Sequence, residues 1–140
     1  MPTTRLYLAS ALCTLTVAST AEAADLAVEV RGLASDRGAV NVALFDRAET
    51  FTKTALIGKS TPATSKPAVV VFRNVTPGAY AVGAFHDANN NGKLDTNLLG
   101  LPTEKYGFSR DAMGAFGPPS FDAAKITVGK DNVSIVINLR

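Results

Sequence analysis

The sequence holds 140 residues, 46% of them hydrophobic, with 14 basic against 12 acidic side chains and one cysteine. That is room for one domain and not comfortably two. The basic residues (Arg31, Arg37, Lys53, Lys59, Lys66, Arg110 and Lys125 among them) form neither a run nor a helical stripe, which excludes a nucleic-acid footprint.

The chain opens with a short segment carrying Arg5, an apolar run from Leu6 to Val17, and small residues ending in Ala21-Glu22-Ala23. This three-part pattern predicts a secretory signal peptide, residues 1–23, cleaved after Ala23. The apolar run is shorter than the roughly 20 residues that span a bilayer, so no membrane span is expected after cleavage. Cys13 leaves with the signal. The mature domain, 24–140, is therefore expected to carry no disulfide and no thiolate ligand, in a periplasmic or secreted setting.

From Asp25 to Leu33, apolar Leu26, Val28 and Val30 alternate with Ala27, Glu29 and Arg31, the period of a half-buried strand. Ser35-Asp36-Arg37-Gly38 reads as a turn, and Ala39–Phe45 as a second strand, which together predict a hairpin. Asp46–Pro67 has only Phe51, Leu56 and Ile57 as large apolar anchors. It reads as a short helical turn near 48–53 followed by polar loop. Gly58-Lys59-Ser60 is not a phosphate-binding loop, because the glycine required five positions earlier is Lys53.

Ala68–Val75 reads as a buried strand, Thr76-Pro77-Gly78 as a turn, and Tyr80–His86 as the next strand. Asp87–Asp122 lacks periodicity but is rich in Leu, Tyr and Phe. It is expected to be a long ordered loop packed by its own side chains. Two strands close the chain, 125–128 and 133–139. The whole predicts an all-β domain, an antiparallel sandwich of about six or seven strands.

Chemistry concentrates in His86-Asp87-Ala88-Asn89-Asn90-Asn91-Gly92-Lys93-Leu94-Asp95. Calcium takes six to eight hard oxygen ligands, and a helix-loop-helix calcium loop places them at alternate positions with glycine at the sixth. With Asp87 as the first position, Asn89, Asn91, Gly92, the Lys93 carbonyl and Asp95 fall in register. Position 12 is Leu98, which cannot ligate, and a strand precedes the loop. The loop is thus expected without the two flanking helices, holding a structural calcium weakly, with Glu104 as the candidate to complete the sphere. The plain alternative is that Asn91-Gly92 is a tight hairpin turn.

His86, the one histidine, is expected to be a strand-end residue bonded to backbone rather than a zinc ligand or a catalytic base. Gly107-Phe108-Ser109-Arg110-Asp111 has only half of a nucleophile elbow. A second reading keeps His86, Asp95 and Glu104 as an acid–base set of a small enzyme acting on a saccharide or envelope polymer.

Four segments in order, Thr76–Val82, Phe85–Asp95, Gly100–Ser109 and Phe116–Ala124, resemble a family of small exported bacterial proteins catalogued as domain of unknown function 2141. The resemblance implies a prealbumin-like or immunoglobulin-like sandwich. Pro77-Gly78-x-Tyr80 is also similar to the turn of carboxypeptidase regulatory-like and collagen-adhesin-repeat sandwiches, which are accessory or adhesive modules. The expected function is non-enzymatic: a calcium-bearing module presenting 98–121 to a protein or glycan ligand.

Overall fold

A computed structural model describes residues 22–64 and 66–140. The expected signal segment, with Cys13, lies outside the described residues apart from Glu22 and Ala23. The strands are β1 (Ala24–Arg31), β2 (Ala39–Phe45), β3 (Ile57–Pro62), β4 (Ala68–Val75) and β5 (Gly78–Asp87), then β6 (Tyr106–Phe108), β7 (Ile126–Val128) and β8 (Val133–Asn138). A 3-10 turn (Ser109–Asp111) and a one-turn helix α1 (Phe121–Ala124) separate β6 from β7.

The strands form two sheets, one ordered β4-β1-β8 and the other β3-β2-β5-β6 with β7 also paired to β5. This is the expected all-β sandwich. Its alternating residues meet between the sheets: Leu26, Val28 and Val30 from β1, Phe72 from β4, Val40, Val42 and Leu44 from β2, Val82 from β5 and Ile137 from β8 are at most 2% exposed. Each such side chain contributes roughly 1.5–3 kcal/mol of burial.

The topology departs from the expected hairpin. β1 pairs with β4 on one side and, in parallel, with β8 on the other. Both its edges are taken, so the Gly32–Gly38 connection carries the chain across to the second sheet, where β2 pairs with β3 and β5. β8 likewise does not fold back on β7. Beyond β8, Leu139 N–H donates to Arg31 O, and Arg140 exchanges backbone bonds with Tyr106, so the last residues stitch the two sheets together.

Two expected loops are corrected. Residues 57–62, read mostly as polar loop, form edge strand β3, paired with β2 from Leu44↔Ile57 to Ala39↔Pro62. The 87–122 excursion contains β6, which adds to β5 through Phe85↔Tyr106 and Gly83↔Phe108. Its packing is also only partial. Phe108 joins Phe45, Phe51, Ala81 and Ala124 in a second apolar cluster outside the main core, with Tyr106 and Phe121 against it. Leu98, Leu99, Leu101, Met113 and Phe116 are exposed instead, Leu98 and Phe116 completely. The 48–53 segment is turn, not helix. Among the described residues no helix is long and apolar enough to cross a membrane.

Candidate cation-binding loop

β5 carries His86 and Asp87 on opposite faces, as strand alternation requires. His86 follows Val82 and Ala84 toward the core and is 1% exposed. Its Nδ1 accepts from Ala34 N–H at 3.2 Å and its Nε2 lies 2.7 Å from Arg37 O. Since a carbonyl only accepts, Nε2 carries the proton and the ring is the neutral tautomer. Both nitrogens thus hold the β1–β2 crossover, as expected of a strand-end histidine. Neither nitrogen is bonded to Asp95 or Glu104.

Asp87 is also 1% exposed, at the base of the loop. Its Oδ1 accepts from Asn91 N–H at 3.0 Å, and its Oδ2 from Gly92 N–H at 2.7 Å and Asn41 Nδ2 at 3.2 Å. A buried carboxylate needs such donors, because a charge leaving water is costly unless it is hydrogen-bonded. The backbone reaches these positions because Asn90 and Gly92 both adopt left-handed φ, 62° and 77°. Gly92 serves that conformation rather than a close approach, since a Cβ there would meet nothing within 4 Å.

The upper tier centres on Asp95. Asn89 Nδ2 donates to Asp95 Oδ2 at 2.6 Å, and Asn91 Nδ2 to Asp95 Oδ1 at 2.8 Å. The two carboxamide oxygens accept backbone N–H groups, Asn89 Oδ1 from Asn91 and Asn91 Oδ1 from Lys93. Lys93 enters the loop through its backbone alone. Glu104 closes the base: Oε1 accepts from Ala88 N–H and Oε2 from Asp95 N–H, each at 3.0 Å. A second turn follows, in which Asn97 Oδ1 accepts from Leu99 and Leu101 N–H and holds Leu98 and Leu99 in solvent.

Asp87, Asn89, Asn91, Asp95 and Glu104 are therefore joined in one continuous hydrogen-bond network. Among the described residues, however, no group of three or more His, Cys, Asp or Glu is placed to hold a metal.

Two participants escaped sequence reading. Asn41 bonds Asp87 from β2; its only signal is a carboxamide at an outward position between Val40 and Val42. At Gly38 (φ 73°) an added Cβ would overlap the carbonyl oxygen of Asp87, so the crossover and the loop base are in direct contact. Ser109 is wholly buried, its hydroxyl donating to Ala124 O at 2.5 Å and accepting from Val82 N–H, so it ties α1 to β5.

No match to this chain was found among curated proteins or among solved structures. A match to a family is found over residues 28–136, which takes in both sheets and the entire loop. The chain belongs to that family, described as an uncharacterized protein conserved in bacteria, domain of unknown function 2141.

Proposed function

We propose that the mature chain is an exported, non-enzymatic module of the bacterial envelope, in which the 87–95 loop takes a structural calcium ion and the 98–121 segment is presented to a protein or glycan ligand. The observation that carries this reading is the convergence of the Asn89 and Asn91 carboxamides on the Asp95 carboxylate, at 2.6 and 2.8 Å. A cation bound beside Asp95 takes the place of those two N–H donors and draws on amide and backbone oxygen. Asp87, Asn89, Asn91, the Lys93 carbonyl, Asp95 and Glu104 are hard-oxygen donors throughout, which suits calcium. With few carboxylates, affinity belongs to the weak class of extracellular modules, about 10⁻⁴–10⁻³ M.

Exposed Leu98 and Leu99, held on a turn that Asn97 fixes, support the presented surface. The engagement of both His86 nitrogens by backbone favours a binder over the acid–base alternative with Asp95 and Glu104. Isothermal titration of calcium tests the ion: saturable heat that disappears in Asp95→Asn supports it, and an absence of heat refutes it.

A further inference from the structure

We propose that the groove on the outer face of the five-stranded sheet binds an uncharged saccharide ring. This deepens the reading of the chain as a binding module and does not require the ion. The cavity measures about 520 Å³, within the roughly 300–1,000 Å³ usual for small-ligand sites. Its floor is one cross-strand row, Gly58, Ala43 and Gly83, closed at one end by Phe108. Gly83 lets Phe108 and Phe45 lie against the strand, for an added Cβ would sit 3.3 Å from the Phe108 ring.

Gly58 is different. A Cβ there would meet nothing within 4 Å, yet a glycine inside a strand destabilises it by roughly 0.5–1 kcal/mol relative to alanine. No described residue packs where the side chain would be, and a strand glycine marks a bulge, a bend, or a place where a ligand or another backbone comes close. β3 runs in unbroken register with β2 through Gly58, which leaves close approach from outside. Thr52, on the rim, holds φ of 61°, a conformation a β-branched residue adopts only under strain.

The next row sets the ligand's chemistry. Ser60, Asn41, Phe85 and Tyr106 stand side by side across β3, β2, β5 and β6. This row mixes aromatic faces with hydroxyl and amide groups. Asn41 spends one N–H on Asp87. The hydroxyls of Ser60, Thr52 and Tyr106 make no hydrogen bond to another described residue.

Lys59 is the one charged residue along the groove among the described residues, and its ammonium is drawn away: it lies in the core-facing register opposite Val42 and donates to Val71 O at 2.7 Å. An apolar floor and aromatic wall against one ring face, with neutral donors and acceptors along an edge, match a pyranose. They offer nothing to a uronate or a phosphate. Gly92 and Leu94 form the side nearest the cation loop.

The test is calorimetric titration of the purified protein with N,N′,N″-triacetylchitotriose, maltotriose and cellotriose, in calcium and again in EDTA. Saturable binding of at least one trisaccharide is expected, with Gly58→Leu weakening it about tenfold or more and Ser60→Ala about 2- to 10-fold. Gly58→Leu should keep the wild-type circular dichroism and a urea midpoint no lower than wild type, since it fills open space on a strand. Binding that survives EDTA but falls in Gly58→Leu supports the groove while separating it from the ion. Three results overturn it: no trisaccharide bound, equal binding by a folded Gly58→Leu, or binding only of N-phenyl-1-naphthylamine with no displacement by sugar. A calcium response with no sugar bound overturns the groove alone.

Discussion

Asp87 Oδ2 accepts the backbone N–H of Gly92 at 2.7 Å, and this one bond ties a buried strand end to the tip of an exposed loop. The same carboxylate also takes N–H groups of Asn91 and Asn41, so three donors depend on it. Asp87→Ala strands all three and is expected to destabilise the domain by about 3 kcal/mol. Urea unfolding measures this; a loss under about 1 kcal/mol, within the range of an ordinary hydrogen bond, contradicts the assigned role.

Glu104 acts from outside the loop. Its two oxygens hold Ala88 and Asp95 N–H groups together across the loop's base. Glu104→Gln turns an amide donor toward one of those N–H groups, and a cost of about 1–2 kcal/mol is expected. Amide exchange should quicken at Ala88 or Asp95 before it changes in β1.

His86→Phe keeps the ring volume but leaves Ala34 N–H and Arg37 C=O without their partner. A loss of about 2–4 kcal/mol is expected, from buried polar groups left unpaired. Thermal unfolding reads it, and ligand binding per folded molecule should be unchanged. A stable variant that has lost binding would move His86 into the site.

The spacing of Asp87, Asn89, Asn91 and Asp95 is local, and the hydrogen bonds that join them are local too. The strands whose faces differ, β1, β2 and β8, were legible because their alternation is equally local. β3 was not, because Gly58-Lys59-Ser60-Thr61 on an exposed edge shows no apolar alternation. Strand pairing was not legible either. Alternation in Leu26, Val28 and Val30 says which face is buried, but not that β8, a hundred residues on, lies parallel beside it. Leu98 and Leu99 lie in solvent against expectation, because hydrophobicity predicts burial only on average.

Gly38→Ala tests the contact between crossover and loop. The position combines left-handed φ with overlap of the Asp87 carbonyl, so any side chain strains it. A loss of about 2–4 kcal/mol is expected, a mid-range to severe single-site effect, with chemical-shift changes concentrated at Asp87 and Ala88.

Asp111 supplies a pH dependence. The Asn138 side-chain amide, and then the Asn138 backbone N–H, hold its carboxyl below the ordinary carboxylate range. A carboxylate depressed by folding stabilises the native state above its unfolded pKa of about 4 and loses that contribution as pH falls. Asp111→Asn should therefore be less stable than wild type at neutral pH, with the difference narrowing in acid. A constant difference from pH 7 to pH 3 contradicts it.

The central claim is that the 87–95 loop takes calcium, and a melting experiment tests it most directly. A ligand that binds only the folded state at a Kd of about 1 mM adds about 1.4 kcal/mol at 10 mM, a rise of several degrees for a domain of this size. The account predicts a concentration-dependent rise in calcium over EDTA for wild type, and none for Asp95→Asn. No rise in wild type, or an equal rise in both proteins, contradicts it and leaves the loop held by its own hydrogen bonds.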